Sequence, residues 1–500
     1  MMKMKKILLN ICIAVILVAV AFASGAYFQQ QRYEKQRAAL LAQRVSQDEK
    51  RENEPTRPWV RTVPGTDAEM LSAGYWKTSV SGELLFSEDE IRYYQNNNPL
   101  FVSYYDEPAG KTVKLRMYDL PEQIGAHAVK ALINPDYIDE RSDGTVTVYV
   151  NGQTPAEGYW DGIRGNCALE LIPENVSPRY CVCVKRDLAM AVPTDDFASE
   201  SADEIYCNDF ISAEVMPFTG VVALHESLDK ERCFIINGSY CGWVKKDSLA
   251  FCADRDQWLQ AVRPGDYLTV TACEITLDET AHETRTESLV LPMGTRIKLL
   301  CGYDGLVDGR ETYGCYVTMI PCRDDNGALD WETVLIPVSK DVVVGSLPMT
   351  SGAVLDQAFK FLGKIYGWGG SFSSNDCSGI VRQVYACFGI ELPRNSAAIA
   401  EIYDLGGRGF SVMTSDKKLD IIKKMPAGTL LAMDGHLMIY LGTVGDKPYV
   451  ISSCATFFPP EDASGVPSGA YGIIVSDLGL LRENGKTWLD SLSYFQLKEY

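Results

Sequence analysis

Tyr366-Gly367-Trp368-Gly369-Gly370, followed after a short spacer by Asp376-Cys377-Ser378-Gly379, is the stretch that decides how this chain reads. From Cys377 the apolar residues Ile380, Val381, Val384 and Tyr385, with Phe388 beyond, keep the spacing of one helix face. Gly389 closes that helix, because glycine tolerates the left-handed C-terminal conformation. Asn375 and Asp376 are cap-forming residues just ahead of it. Cys377 therefore falls in the first turn, where unpaired N–H groups and the helix dipole favour a thiolate. The same N–H groups can hold a developing oxyanion.

Upstream, Val354, Leu355, Ala358, Phe359 and Leu362 predict a second helix ended by Gly363. Gly367, Gly369 and Gly370 then permit a tight turn and the close approach of a substrate backbone. Downstream, past Leu392-Pro393-Arg394, the period changes to two. Residues 429–433, 436–442 and 449–453 predict three short strands punctuated by Gly and Pro. His436, Met438 and Tyr440 share one face, and Leu437, Ile439 and Leu441 the other. The chain has four histidines, and His436 alone follows Cys377. Most of the fifteen cysteines read as small buried hydrophobes, and a single histidine is commonly structural. The two blocks around Cys377 and the scarcity of histidine favour a nucleophile and its base.

Residues 350–456 resemble the NlpC-type cysteine peptidases, papain-like hydrolases of bacterial cell-wall peptides. Blocks 366–370, 376–379, 392–394 and 435–442 carry the resemblance. It implies an α+β papain-like domain with Cys377 as nucleophile and His436 as general base and acid. It implies that Tyr366 polarises the carbonyl beside the Cys377 N–H. The third polar position, most often histidine in the family, falls to Ser452. A hydroxyl can accept a hydrogen bond from imidazole, but it stabilises imidazolium less than a carboxylate does. Ile399, where relatives often carry Gln, is a second departure with no assigned role.

The implied substrate bond is the γ-D-glutamyl–diaminopimelate amide of peptidoglycan stem peptides. In relatives with SH3-like domains a barrel closes one end of the cleft and favours stems with a free N-terminal L-Ala. The acidic residue that meets that amine is replaced here by Asn395, which forfeits the charge pair. Ser378, Arg394 and Asn395 are the implied substrate contacts. Arg394 reads equally well as a loop salt bridge.

Five hundred residues, 46% apolar and 23% charged, describe a globular chain of three or four domains. A net charge of −19 argues against nucleic acid or anionic membrane surfaces as main partners. No paired Cys-x-x-Cys and no Cys/His cluster is present, so neither a metal nor another cofactor is expected. Disulfides remain open in an oxidising compartment, and the odd cysteine total leaves room for a free Cys377.

Lys3, Lys5 and Lys6 precede an apolar run, with Ala21 and Ala23 in an A-x-A arrangement. Residues 1–28 are expected to be a cleaved export signal or an uncleaved membrane anchor. Either implies an extracytoplasmic location, in periplasm or cell envelope. Residues 29–58 form a polar linker and 59–175 a mixed N-terminal domain, with a helix at 84–94 and a strand at 145–150.

Short strands separated by turns such as Asn237-Gly238 dominate from residue 176 onward. Residues 176–254 resemble an SH3-like barrel, and 255–345 a second, diverged one. Residues 346–500 complete the NlpC-type peptidase domain. Two competing functions stay open. One is a murein-binding module with a weak or inactive hydrolase domain. The other is a papain-like acyltransferase or amidase.

Overall fold

Alternating apolar residues from 430 onward build the sheet on which the site rests. The computed structural model describes residues 60–496, apart from 79–81, 83, 99, 283, 401, 403–406 and 461–464. The expected signal or anchor (1–28) and linker (29–58) lie outside the described residues. No helix among the described residues is long and apolar enough to cross a membrane.

The C-terminal sheet has six antiparallel strands in the order Gly407–Gly409, Leu492–Gln496, Leu430–Met433, His436–Val444, Lys447–Phe457, Ser468–Asp477. Its alternation sorts side chains as the sequence predicts. Leu437, Ile439 and Leu441 join a core with Val354 and Leu355 of helix Ser351–Phe359 and with Ile380, Val381 and Val384 of helix Cys377–Ala386. Met438 and Tyr440 face the opposite core, with Phe410 and Trp488.

The mixed 59–175 region divides. Met70, Trp76, Leu85, Phe86 and Tyr94 are buried in the core of the Cys377 helix. Trp76 meets the Tyr449 ring at 5.3 Å, and the Tyr449 hydroxyl donates to Gly65 O at 2.9 Å. The helix expected over 84–94 is instead strand Leu84–Phe86 followed by helix Glu88–Asn97. Ser87 and Glu90 form a capping box, which starts the helix only there. The strand pairs with Met349–Thr350, just ahead of helix Ser351–Phe359. The strand expected at 145–150 shrinks to Tyr149–Val150. Residues from Val102 to Val176 pack separately, against one face of the first large sheet.

That sheet has seven strands, in the order Ile211–Val215, Asp187–Met190, Tyr240–Lys245, Arg232–Asn237, Gly220–Glu226, Arg179–Cys183, Leu249–Phe251. The Asn237-Gly238 turn is present, with Gly238 at φ +48°. A second sheet has five strands, from Leu329–Pro337 at one edge to Val342–Val344 at the other. No closed barrel is found among the described residues, so the two sheets alone do not show the two SH3-like barrels expected from the sequence. In the first sheet, edge strand Ile211–Val215 packs on segment Trp368–Ser373. In the second region, Glu274–Thr276 pairs with Val290–Pro292 and stands outside the sheet. The molecule is a multidomain protein of mixed helix and strand.

Candidate active site

Asp376 organises the site. It caps the nucleophile helix by accepting from the Gly379 N–H at 2.8 Å. It also accepts from the Ser378 hydroxyl at 3.0 Å and the Gly369 N–H at 3.1 Å. The Arg394 guanidinium grips both carboxylate oxygens. Burial works against the Asp376 charge, but Arg394 outweighs it and holds the carboxyl below the ordinary aspartate range. Arg394 also donates to the Ser378 hydroxyl at 2.7 Å, and its backbone N–H reaches Ser239 Oγ at 2.7 Å. Of its two sequence readings, Arg394 takes the salt-bridge place. Ser378 is buried in the same cap. Asn395 is exposed, and its side-chain oxygen accepts from the Ala398 N–H at 2.7 Å, at the start of the short helix Ser396–Ala400.

Cys377 is half-buried at the first position of its helix. Backbone N–H groups of Leu437 and Ser378 face its sulfur. The thiol thus stands at the start of the His436 strand, one residue along from the imidazole. Sulfur and ring are not hydrogen-bonded to one another, a spacing common before substrate binds. Burial first, then the Asp376 charge, pushes the Cys377 thiol up to about 12. Burial, then the Arg482 charge, brings His436 down to about 4. Both groups are neutral near pH 7.

His436 Nε2 lies 3.0 Å from the fully buried Ser452 Oγ, and its ring meets Trp488 edge-on at 5.1 Å. Tyr366 is anchored by its N–H to Tyr471 O at 2.8 Å. Burial, then the Asp376 and Cys377 charges, raises its phenol and keeps it neutral. Among the described residues no group of three His, Cys, Asp or Glu could hold a metal ion.

Residues 363–450 match the NlpC/P60 family. The chain carries an NlpC/P60 domain. Members of this family are cell-wall peptidases. The structure of an NlpC/P60 endopeptidase from Photobacterium damselae subsp. piscicida is similar over 84% of this chain and 96% of that one, at TM-score 0.65 and 17% identity. At that identity the likeness shows the fold. An NlpC/P60 family protein from Bacillus cereus ATCC 10987 covers 57% of this chain and 82% of its own, at TM-score 0.37 and 16% identity. A search of curated proteins finds no match.

One expectation inside the NlpC/P60 domain is corrected. Gly369 and Gly370, read from sequence as admitting a substrate backbone, both face the seven-stranded sheet. A Cβ on Gly369 would collide with Ile211 Cγ2, and one on Gly370 would sit 2.5 Å from Glu214 Cβ. The glycines let one domain dock on another. Arg186 and Glu214 form a buried ion pair at this contact, and Arg186 also reaches Ser374 O at 3.0 Å. Sequence reading missed Arg186, Glu214, Trp488 and Arg482. All lie far from the motif in sequence, and no local pattern marks them.

Proposed function

We propose that the chain is a cysteine endopeptidase that hydrolyses the γ-D-glutamyl–diamino acid amide of peptidoglycan stem peptides. Cys377, deprotonated by His436, attacks the amide carbonyl, and the N–H of Cys377 and the Tyr366 hydroxyl stabilise the oxyanion. His436 then protonates the departing amine. Water, its proton taken by the same imidazole, resolves the thioester to acid and free thiol.

The observation that carries this reading is the Cys377 sulfur against the Leu437 N–H, beside a His436 ring held by Ser452. Ser378 and Arg394 act through the Asp376 cap, while exposed Asn395 remains available to the substrate amine. The expected SH3-like character of residues 176–345 and export through residues 1–28, by cleaved signal or retained anchor, belong to the same proposal.

A second reading is a murein-binding module with little turnover. It is favoured by Ser452 in place of a stronger base partner and by the wide gap between a thiol near 12 and an imidazole near 4. The tripeptide L-Ala-γ-D-Glu-diaminopimelate, followed by mass spectrometry with Cys377→Ala as control, separates the two. Release of L-Ala-D-Glu by wild type alone supports the peptidase. Binding without cleavage supports the module. Thioester formation on another acyl donor, with murein peptides untouched, supports an acyltransferase.

A further inference from the structure

Behind the nucleophile helix, segments from several parts of the chain line a partly open cavity of about 180 Å³. Met117, Met216, Phe218 and Met293 supply much of its apolar wall, and Arg382 of the Cys377–Ala386 helix lines it as well. Three of the arginines at this junction are paired. Arg186 holds Glu214, Arg394 holds Asp376, and Arg296 reaches Glu391 at 3.4 Å. Among the described residues Arg382 makes one hydrogen bond, from Nε to Leu392 O at 3.4 Å, and no ion pair. Its two terminal nitrogens are left without an acceptor among the described residues. The neighbouring Glu214 is already engaged by Arg186 and by Gln383 Nε2 at 3.5 Å. Burial, then the Arg394 charge, lowers the Arg382 pKa, against a smaller opposing pull from Tyr240, Glu214 and Asp376. Arg382 is only partly exposed and carries no ion pair among the described residues, so its terminal nitrogens are open to an anion that enters the cavity.

The apolar wall and the size define that anion further. An engineered apolar cavity of about 150 Å³ takes up benzene. We propose that this junction cavity binds a small amphipathic monocarboxylate, its carboxylate on the terminal nitrogens of Arg382 and its hydrocarbon part against the methionines. Methionine walls adapt to the shape of an apolar occupant. Guanidinium matches carboxylate in a two-point geometry. The site is separate from the thiol cleft and does not depend on the peptidase reading.

The test uses the full chain, in buffer free of chloride and phosphate, with benzoate as probe and benzamide as its neutral counterpart, read by titration calorimetry. One benzoate per chain is expected, with benzamide weaker by about tenfold or more, the scale of a charge-assisted hydrogen bond. Arg382→Gln should weaken benzoate by a similar factor. Met216→Trp, which fills the volume and keeps the cation, should weaken it as well and decides the matter if Arg382→Gln does not fold. Cys377→Ala should bind benzoate as wild type does. Equal binding of benzoate and benzamide overturns the proposal. So does chloride or phosphate binding as tightly as benzoate, or Met216→Trp binding like wild type.

Discussion

At the residue scale the site turns on His436 and the hydroxyl that holds it. Ser452 can donate to Nε2 or accept from it, so it permits both tautomers where a carboxylate would impose one. Ser452→Ala leaves Nε2 unpaired in a buried position. We expect kcat toward the tripeptide to fall about tenfold, the worth of one such hydrogen bond, with KM nearly unchanged. Steady-state kinetics check this. His436→Ala should cost on the order of 10² to 10⁴ in rate, and Cys377→Ala should abolish turnover.

The same imidazole has a stability signature. Its pKa falls from 6.5 to about 4 on folding, so below pH 6.5 the unfolded chain binds the extra proton first. Stability from this group is complete above pH 6.5 and is lost as pH drops toward 4. Thermal melts of wild type should fall more steeply across that window than those of His436→Gln. Parallel curves would refute the assignment.

At the element scale, the Cys377 helix is held by its first turn. Asp376 is both its N-cap and the partner of buried Arg394. Asp376→Asn keeps a cap-forming side chain but strands a buried guanidinium, and breaking such a pair typically costs about 3–5 kcal/mol. A melting temperature lowered well beyond that of Ser378→Ala is the expected result. Ser378→Ala removes only a neutral member of the network.

This helix was legible because period, cap and closing glycine lie within one short window. The strands carrying His436 and Ser452 were legible through alternation between Gly and Pro breaks. The role of Gly369 and Gly370 was not, because Ile211 and Glu214, which fill the space in front of them, come from another domain. Neither was sheet closure, since strand patterning fixes which face is buried but not whether edges meet. The split at Ser87 was readable from Ser-x-x-Glu, a capping box that the apolar period across 84–94 obscured.

At the scale of the whole molecule, the core behind the candidate nucleophile is completed by chain far upstream in sequence. Met70, Trp76, Leu85, Phe86 and Tyr94 are buried in one cluster with Val354 and Ile380 of the two helices and with Leu437, Ile439 and Leu441 of the sheet. Strand Leu84–Phe86 adds backbone pairing to Met349–Thr350. A chain begun at residue 346 would leave the surface beneath Trp76 and Phe86 bare, an exposed apolar patch of the kind that folded domains avoid. We therefore expect the 346–500 fragment alone to bind a hydrophobic dye and to melt without a cooperative transition. Adding a peptide of residues 60–98 should restore both a sharp melt and low dye binding. In the full chain, Trp76→Ala should destabilise by about 3–5 kcal/mol, the usual cost of truncating a buried aromatic, while Val412→Ala, at a position 93% exposed, should change little. A fragment 346–500 that melts sharply without the peptide would show that the upstream segment is an attachment and not part of the core.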